Sequence, residues 1–593
     1  MQDSVMPLIV EGAPTDSLAD LPRRNANNQP TRVAFSARSG SGWSDITTTE
    51  FADQVDALAS GLIAAGVGLG DSVAIMSKTR YEWTLADFAI WSAGAVAVPI
   101  YETSSPEQVE WILKDSGAVG AVVETAAHAG AIESVRGNLP HLAHVWQIDD
   151  GDLDELQAGG VAASAVAARR EAIGRDTIAT IIYTSGTTGR PKGCELTHDN
   201  FLGLAENTIG KLGEVVLRDN ASTLLFLPLA HVFARFIEVL CVVAEARMGH
   251  SSNLTDILGD FASFKPTFIL AVPRVFEKIF NKASEQATAD GKGKIFDKAA
   301  DTAIAYSEAL DKGAVPFKLR ALHAVFDKLV YSKIRTKMGG QVGYAVSGGA
   351  PLGTRLGHFF RGIGVTILEG YGLTETTAPA AVNIPANVKI GTVGPPLPGV
   401  SLRVAEDGEI LIKGINVLKG YRNNPEATAA AIVDGWFHTG DIGELDEDGY
   451  LKITGRKKEI LVTAGGKNVA PAVLEDRLRA HPLVSQTMVV GDQKPFIAAL
   501  VTLDEEMLPG WAANHDLAGL TPEQARTNEK VLAALQEAVD EANKAVSKAE
   551  SIRKFVVLEG DFTEENGYLT PSLKLKRNLV LRDFDEQIEA IYG

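Results

Sequence analysis

Apolar runs alternate with helical patterns along residues 50–345. Short apolar runs between helical stretches are typical of strands that are buried on both faces. The predicted strands are residues 180–183, 224–227, 268–272 and 342–346. Since strands that alternate with helices form mostly parallel sheets covered by those helices, the pattern predicts an α/β architecture.

The pattern changes near residue 400, where polar and apolar residues begin to alternate. Two alternating runs each surround an Asp-Gly pair, which is a strong signal for a β-hairpin. The pairs are Asp407-Gly408, within residues 401–413, and Asp448-Gly449, within residues 442–453. The sequence therefore predicts a small β-rich part at about residues 390–455.

A further change follows Arg456. From residue 471 to the end, the pattern predicts a helix, two strands, a long charged helix, a strand and a tail. We therefore place an N-terminal domain at residues 1–455 and a C-terminal domain at residues 456–593. Residues 281–340 are mostly polar with helical spacing, which predicts a helical insertion on the larger domain.

Length and composition fit a soluble globular protein with more than one domain. The chain has 593 residues, of which 45% are hydrophobic and 22% are charged; one compact core rarely extends this far. The net charge of -19 argues against a nucleic-acid partner, which would need a basic face. Only two cysteines, Cys194 and Cys241, are present, and this scarcity indicates a reducing cytoplasm.

The sequence shows neither a secretory signal nor a membrane span. Its first residues lack the basic stretch and apolar core of a signal peptide. No segment has 18 uninterrupted apolar residues, and the nearest candidate, residues 88–100, is better explained as buried core. We expect a cytoplasmic protein.

Residues 316–340 could nevertheless contact a membrane from the inner face. They hold six cations against one acid, Asp327, and their apolar residues recur at helical spacing. Such a basic amphipathic helix could rest on anionic lipid. The alternative, which the sequence favours, is a helix docked on the protein core with its basic face in solvent.

A glycine- and hydroxyl-rich segment with a lysine follows the predicted strand 180–183. It is Tyr183-Thr184-Ser185-Gly186-Thr187-Thr188-Gly189-Arg190-Pro191-Lys192-Gly193. Glycines let the backbone approach a polyphosphate, and successive amides and hydroxyls can donate to its oxygens. The segment lacks the Gly-Lys-Ser/Thr ending of a Walker A loop. It predicts a phosphate-binding loop, with a plain flexible surface loop as the alternative.

Five further segments follow in order along the chain. They are Ser347-Gly348-Gly349-Ala350-Pro351-Leu352, Gly370-Tyr371-Gly372-Leu373-Thr374-Glu375-Thr376, Thr439-Gly440-Asp441, Gly455-Arg456-Lys457-Lys458-Glu459 and Pro571-Ser572-Leu573-Lys574-Leu575-Lys576-Arg577. With the phosphate loop, this set resembles the adenylate-forming superfamily of acyl-CoA synthetases, adenylation domains and luciferases. The resemblance implies two α/β subdomains and a small β-rich subdomain, followed by a small mobile α+β C-terminal domain.

The resemblance also implies an ATP site with magnesium. Its expected ATP- and AMP-binding residues are Thr184, Ser185, Gly186, Thr187, Thr188, Gly189, Lys192, Gly348, Gly349, Ala350, Gly370, Tyr371, Gly372, Thr374, Asp441, Ile453, Arg456 and Lys574. Tyr371 would stack on adenine, Asp441 would accept the ribose hydroxyls, and Arg456 would reach ribose or phosphate. The alternatives are a core tyrosine, a turn-forming aspartate and a solvated hinge residue.

The expected catalytic residues are Lys574, Glu375, Thr184 and His231. Glu375 would bind magnesium together with the hydroxyl of Thr184 or Thr187, because magnesium prefers one or two carboxylates plus phosphates; otherwise Glu375 is a solvated loop carboxylate. Lys574 would neutralise charge at the α-phosphate, with Lys576 as the fallback. His231 would lie beside the acyl pocket, or else be a satisfied core histidine.

The remaining expectations concern the second half of the reaction. Lys458 would be the hinge between the domains, and Gly465, Gly466 and Lys467 would face the coenzyme A tunnel. The resemblance implies a long-chain fatty acid–CoA ligase that uses fatty acid, ATP, Mg²⁺ and coenzyme A. A fatty acyl-AMP ligase that serves a carrier protein, and a non-catalytic binding protein, remain open, as does the oligomeric state.

Overall fold

The computed structural model describes residues 2–40, 42–184, 190–252, 256–570 and 573–593. A seven-stranded sheet forms the first α/β part, and its inner strands pair in parallel as predicted. In spatial order, its strands are Gly420–Tyr421, Lys192–Thr197, Ile178–Thr184, Val96–Ile100, Ser72–Met76, Gly120–Val123 and His144–Gln147. The predicted strand 180–183 is confirmed within Ile178–Thr184.

Two four-stranded sheets form the second α/β part. One is ordered Ser222–Leu225, Arg247–His250, Val33–Ser39 and Gly42–Thr47; the other is ordered Phe268–Ala271, Tyr344–Ser347, Thr366–Leu373 and Ala378–Val382. In each sheet the first three strands are parallel and the last is antiparallel. The three remaining predicted strands are confirmed, with bounds that shift by one or two residues.

Helices cover these three sheets on the N-terminal side of the chain. They are Leu21–Asn28, Thr48–Ala64, Tyr81–Ser92, Pro106–Ser116, Ala126–Glu133, Asp152–Ala158, Ala163–Glu171, His198–Val216, Val232–Val243, Ile257–Phe264 and Thr354–Gly362. Thr48–Ala64 begins with a capping box, in which the Thr47 side chain accepts from Glu50 N–H and the Glu50 carboxylate accepts from Thr47 N–H. The helices bury their apolar faces on the sheets, which explains the alternation in the sequence.

The β-rich part is a six-stranded antiparallel sheet. Both predicted hairpins are confirmed: Val400–Val404 pairs with Glu409–Gly414, and Trp436–Leu445 pairs with Leu451–Arg456. The N-terminal strand Gln2–Val5 also joins this sheet, and no pattern in the sequence predicted it. The short strand Ile432–Val433 and the helix Pro425–Ala431 complete this part.

The predicted helical insertion connects two neighbouring parallel strands, Phe268–Ala271 and Tyr344–Ser347. Its helices are Pro273–Ala289, Gly293–Asp311, Phe317–Phe326 and Ser332–Lys337, with a π-helical turn at Asp327–Tyr331. The helical segment therefore begins at Pro273 rather than at residue 281. Among the described helices, none combines the length and apolar character needed to span a bilayer.

The C-terminal part has a three-stranded sheet, Val484–Val490, Ile497–Leu503 and Ile552–Val557, and a small hairpin of Leu461–Val462 with Asn468–Val469. Its helices are Pro471–Arg479, Leu508–Asn514, Pro522–Ala525, Glu529–Asn543, Arg577–Asp583 and Asp585–Tyr592. The predicted order is confirmed except for four short helices. Two of them lie in the predicted tail, where about two turns give too little periodicity to recognise.

The N-terminal and C-terminal parts have separate clusters of buried apolar residues. The clusters of the N-terminal part extend to Leu451, and those of the C-terminal part begin at Val469. Separate cores are what two domains require. The boundary at residues 455 and 456 stays a prediction, and it falls within this gap.

Candidate active site

The predicted site residues gather at one edge of the sheets. The phosphate loop follows the strand Ile178–Thr184, and Gly348 follows the strand Tyr344–Ser347. Tyr371 lies in the strand Thr366–Leu373, and Glu375 lies in the turn after it. Because the carboxyl ends of parallel strands meet at one edge, separate motifs form a single cleft there.

Part of the predicted phosphate loop, Ser185, Gly186, Thr187, Thr188 and Gly189, lies outside the described residues. Thr184 and Lys192 bracket this segment on two antiparallel strands, where they pair directly. The Thr184 hydroxyl donates weakly to the Lys192 carbonyl oxygen, at 3.5 Å. These two expected ATP-binding residues are therefore adjacent.

Asp441 joins the nucleotide-binding motifs. Its buried carboxylate accepts a hydrogen bond from the Tyr371 hydroxyl at 2.6 Å through Oδ2, and from Arg456 Nε at 2.8 Å through Oδ1. Burial and the Asp441 charge raise the pKa of Tyr371 far above its usual range, so the hydroxyl remains a donor. The structure thus brings Asp441 together with Tyr371, which lies 70 positions earlier in the sequence, and with Arg456, which lies 15 positions later.

The same cluster shows the surroundings of these residues, whose roles stay predictions. Tyr371 is half-buried, packs against the core of the N-terminal part and donates to Asp441. The Asp441 carboxylate binds Tyr371 and Arg456 and does not stabilise the turn. The Thr439 hydroxyl stabilises the turn by accepting a hydrogen bond from Asp441 N–H. Arg456 is an ion-pair partner rather than a freely solvated hinge residue. Ile453, three residues earlier on the same strand, is half-buried.

Glu375 lies at the phosphate side of the cleft. Its Oε1 accepts a hydrogen bond from the Tyr421 hydroxyl at 3.0 Å. The ammonium of Lys192 lies 5.0 Å from the centre of the Tyr421 ring. Sequence reasoning missed Tyr421, because only the pairing of Gly420–Tyr421 with the strand Lys192–Thr197 brings residue 421 to the site.

The backbone after Glu375 is strained. Thr377 and Ala378 both have positive φ, at 53° and 70°, which non-glycine residues rarely adopt. Gly372, in the preceding strand, admits no side chain, since a Cβ there would lie 1.4 Å from the Ala378 carbonyl oxygen. Strain of this kind clusters at functional sites, where the surroundings over-determine it.

Glu369 is a second residue that sequence reasoning missed. Its buried carboxylate accepts from Leu352 N–H at 3.1 Å, and burial raises its pKa to about 6. This contact holds the Ser347–Leu352 segment, with Gly348, Gly349 and Ala350, against the strand that carries Gly370, Tyr371 and Gly372. The sequence signal was an acid directly after the apolar residues Ile367 and Leu368.

Lys574 faces this cleft from the C-terminal part. Lys574 is exposed, but neighbouring protein removes part of the water around its ammonium. This desolvation and the charge of Arg456 lower the pKa of Lys574. The negative charges of Asp441, Glu375 and Glu459 raise the same pKa, which indicates that these carboxylates lie near the ammonium. Pro571 and Ser572 lie outside the described residues, and Arg577 anchors the segment by donating to Glu475 at 2.7 Å.

His231 begins the helix Val232–Val243. Its Nδ1 accepts from Phe233 N–H at 3.2 Å, which leaves the hydrogen on Nε2. Burial and the charge of Lys574 lower its pKa to about 4, so the ring is neutral near pH 7. His231 is half-buried and near enough to Lys574 to feel its charge, and its place beside an acyl pocket stays a prediction.

The expected hinge residue Lys458 follows Arg456 of the Asp441 cluster by two positions, and the expected coenzyme A residues lie in a later turn. Lys457 still binds the large domain, through Asp407 at 2.6 Å and Glu409 at 3.1 Å, whereas Lys458 is exposed in the following turn. Gly465, Gly466 and Lys467 form an exposed turn, where Lys467 lies 3.7 Å from Glu550.

The C-terminal part also contacts the helix Pro273–Ala289 of the insertion. Arg274 pairs with Asp504 at 2.5 Å, and Lys278 and Lys282 both pair with Glu506, at 2.6 and 2.7 Å. These three ion pairs join the insertion helix to the C-terminal part, which also carries Lys574.

The donor set at Glu375 fits a nucleotide-bound magnesium ion. Among the described residues, no group of three or more His, Cys, Asp or Glu side chains converges to hold a metal by itself. Magnesium bound with a nucleotide commonly takes one or two carboxylates and completes its shell with phosphates and water. One carboxylate beside a phosphate loop meets that requirement. Cys194, which lies beneath it, is buried, and burial raises its pKa, so it is no nucleophile.

Comparisons with known proteins agree with this geometry. The family model described as AMP-binding enzyme matches residues 22–422, and that of the AMP-binding enzyme C-terminal domain matches residues 458–593. The long-chain-fatty-acid–CoA ligase FadD15 of Mycobacterium bovis is 51% identical, covering 98% of this chain and 97% of that protein. FadD15 of Mycobacterium tuberculosis is 50% identical over the same shares.

A solved structure confirms the fold. The anthranilate CoA ligase AuaEII, in complex with anthranoyl-AMP, superposes with a TM-score of 0.74 at 21% identity, covering 96% of this chain and 98% of that one. The resemblance inferred from the motifs is therefore confirmed, and the chain belongs to the AMP-binding, adenylate-forming family of enzymes.

Proposed function

We propose that the protein is an ATP-dependent long-chain fatty acid–CoA ligase that works through an acyl-adenylate. The observation that carries the proposal is that Asp441 is hydrogen-bonded to Tyr371 and Arg456, while Glu375 is hydrogen-bonded to Tyr421 beside Lys192 of the phosphate loop. The similarity to FadD15 along nearly the whole chain supports a long-chain fatty acid as the substrate.

In the first half-reaction, a fatty acid carboxylate attacks the α-phosphorus of ATP. A carboxylate oxygen–phosphorus bond forms, the bond to the β-phosphate oxygen breaks, and pyrophosphate leaves. Two anions approach each other, so positive charge fixed beside them lowers the barrier. Lys574 supplies such a charge, and a magnesium ion at Glu375 would neutralise the leaving pyrophosphate.

Asp441, Tyr371 and Arg456 orient the nucleotide in this proposal. The Asp441 carboxylate is the acceptor for the ribose hydroxyls, which exchange with its present partners Tyr371 and Arg456. The freed Tyr371 ring can then stack on adenine. His231, neutral and beside Lys574, contributes a hydrogen-bond donor near the reacting carboxylate without adding charge.

In the second half-reaction, the coenzyme A thiolate attacks the carbonyl carbon of the adenylate and AMP leaves. With Lys574 in the cleft, the C-terminal domain covers the nucleotide, so we propose that it rotates about Lys458. The rotation breaks the pairs of Asp504 and Glu506 with the insertion helix and moves the turn of Gly465, Gly466 and Lys467 to the coenzyme A tunnel. The domain division at residues 455 and 456 belongs to this proposal, and the C-terminal family match from residue 458 supports it.

The proposal is tested by measuring acyl-AMP and acyl-CoA products for fatty acids of increasing length. We expect ATP–pyrophosphate exchange that requires a long-chain acid, and thioester formation with free coenzyme A. Glu375→Gln should abolish most of the exchange while the protein stays folded, because the metal loses a charged ligand. Acyl-AMP that accumulates without thioester, in the presence of coenzyme A, would contradict the ligase assignment.

A peripheral contact with the inner membrane face is the second element of the proposal. In the segment 316–340, Phe326, Tyr331, Ile334 and Met338 are buried against the core, so one face docks as the sequence favoured. The opposite face leaves Phe317, Val325 and Leu329 exposed, at 81%, 52% and 53%. Exposed cations flank them, namely Lys318, Arg320 and Lys328. Apolar side chains among cations suit an anionic lipid surface.

Sedimentation with vesicles tests this contact. Wild-type protein should bind vesicles that contain anionic phosphatidylglycerol, and salt should weaken the binding. A Phe317→Ser, Lys318→Glu double variant should bind less, whereas Lys298→Glu on the neighbouring helix Gly293–Asp311 should not. Equal sedimentation of wild type and the double variant would exclude the surface.

A further inference from the structure

Tyr421 lies between the phosphate loop and the strained turn that carries Glu375. Its strand Gly420–Tyr421 forms the edge of the seven-stranded sheet, where Tyr421 pairs with Cys194 and Gly420 pairs with Glu195. The Tyr421 side chain is buried. It contacts both charged groups of the phosphate side, Glu375 and Lys192, and none of the family motifs identified in the sequence includes it.

Glu375 is held by this segment at two points. The Tyr421 hydroxyl donates to Glu375 Oε1 at 3.0 Å, and Leu418 N–H donates to the Glu375 carbonyl oxygen at 2.8 Å. A glutamate side chain that is free to rotate loses conformational entropy when it binds a metal. The Tyr421 hydrogen bond fixes one carboxylate oxygen before any ligand arrives, and leaves Oε2 for the metal.

The other side of Tyr421 contacts the strand Lys192–Thr197, which begins with the lysine of the phosphate-loop motif. The Lys192 ammonium lies 5.0 Å from the centre of its ring, within the range of a cation–π interaction. Backbone bonds continue the attachment, since Arg422 N–H donates to the Gly193 carbonyl oxygen at 2.7 Å and Lys419 N–H donates to that of Glu195 at 2.9 Å. One side chain therefore sets the separation between a phosphate-binding cation and a metal-binding carboxylate.

The Tyr421 hydroxyl is a hydrogen-bond donor to the Glu375 carboxylate, which as an acceptor has a second oxygen free for a metal. This is the behaviour of outer partners that orient metal ligands in proteins.

We propose that Tyr421 is a positioning residue for magnesium and ATP: its hydroxyl orients the Glu375 carboxylate, and its ring holds Lys192. This inference rests on the proposed function, because it assumes that Glu375 is the metal ligand. It predicts that the two parts of the side chain have separable effects. Loss of the hydroxyl should weaken the response to magnesium, and loss of the ring should weaken ATP binding as well.

The test uses Tyr421→Phe, which keeps the ring, and Tyr421→Leu, which removes both parts. ATP–pyrophosphate exchange is measured against magnesium concentration. We expect Tyr421→Phe to raise the half-saturating magnesium concentration roughly 10-fold or more, with exchange recovering at high magnesium, since outer partners of metal ligands typically contribute 10–100-fold. Tyr421→Leu should in addition raise KM for ATP at saturating magnesium.

Tyr344→Phe is the matched control. Its hydroxyl also donates to a carboxylate, Glu214 Oε1 at 2.5 Å, but on the outer surface of the second α/β part. It should leave the magnesium dependence unchanged, and thermal unfolding of all variants shows whether they fold. An unchanged half-saturating magnesium concentration in folded Tyr421→Phe overturns the proposal.

A binding measurement separates this inference from the proposed function. Calorimetric titration with a non-hydrolysable ATP analogue, with and without magnesium, needs no turnover. Wild type should show a magnesium-dependent gain in affinity that Tyr421→Phe loses in large part. If wild type shows no exchange activity, the proposed function fails, and the calorimetric titration alone then tests the role of Tyr421. If magnesium increases the affinity for the ATP analogue equally in wild type and Tyr421→Phe, the positioning role is rejected.

Discussion

The Asp441 cluster and the Lys574 loop differ in how the protein holds them. Asp441 is buried and bonded to Tyr371 and Arg456, so its position is fixed by the sheet on which it lies. Lys574 is on an exposed turn, and ion pairs attach its domain to the insertion helix: the pairs of Lys278 and Lys282 with Glu506 are exposed, whereas that of Arg274 with Asp504 is largely buried. Exposed ion pairs contribute little, about 0–1 kcal/mol each, so the two pairs of Glu506 hold the domain weakly. The difference indicates a fixed nucleotide site and a movable catalytic group.

Replacing Lys574 should have the largest effect. Lys574→Ala should reduce ATP–pyrophosphate exchange by roughly 10²–10³, as expected for loss of one preorganised charge in the transition state. Lys576→Ala is the control on the same segment, and it should retain most of the exchange. A defect in Lys576→Ala alone would transfer the catalytic role to that lysine.

Replacing Asp441 tests the fixed half of the comparison. Asp441→Asn keeps the shape but loses the charge that binds Arg456 and the ribose, and hydrogen bonds to charged groups contribute about 1.5–3 kcal/mol. KM for ATP should rise roughly 10–100-fold, measured by initial rates at saturating fatty acid. Asp448→Asn, in an exposed hairpin of the same sheet, should behave as wild type; an unchanged KM in Asp441→Asn would exclude the ribose contact.

Restricting the hinge tests the movable half. Lys458→Pro fixes φ in the turn after the last contacts of the large domain, so it should impair rotation. We expect adenylation to be spared and thioester formation to fall by roughly tenfold. Lys458→Ala removes the side chain without fixing φ, and should spare both. Equal loss of both half-reactions in the proline variant would place the hinge elsewhere.

The pH dependence tests the charge state of Lys574. Its pKa is lowered by desolvation and by Arg456, and the protonated form is the one that stabilises the transition state. Adenylation kcat/KM should therefore fall as pH rises through this lowered pKa, below the ordinary lysine value of about 10.4. Lys574→Arg should move the basic limb to higher pH, whereas Lys576→Arg should leave it in place.

Removing the exposed ion pairs of Glu506 should have the smallest effect. Glu506→Gln loses the partner of both Lys278 and Lys282, and we expect a less than about fivefold decrease in adenylation rate. Salt should abolish the difference from wild type, because it screens exposed charges. The neighbouring Glu505→Gln is the control. A larger, salt-independent defect would mean that the domains are not weakly attached.

The sequence predicted those features that depend on local pattern. Both Asp-Gly hairpins and the parallel strands were recognisable because turn chemistry and apolar runs are local signals. The residues Tyr371, Asp441, Arg456 and Lys574 were recognisable as family motifs, and the structure brings them together. Neither pattern shows which atoms bond, so the carboxylate that joins Tyr371 to Arg456 emerged only from the fold.

What the sequence missed depends on pairing between distant segments. Tyr421 reaches Glu375 because its two-residue strand joins a sheet edge formed more than 220 positions earlier. Gln2–Val5 pairs with Val400–Val404 for the same reason. Such short strands carry no periodicity of their own, and their register is set by the partner strand.

The central claim is that Lys574 serves adenylation only, because it leaves the cleft before the thiol attacks. The most direct measurement supplies purified acyl-adenylate and coenzyme A to Lys574→Ala under single-turnover conditions and follows the thioester. The account predicts a thioester rate equal to that of wild type, in a variant whose ATP–pyrophosphate exchange is nearly lost. A thioester rate that falls as far as the exchange rate would contradict it.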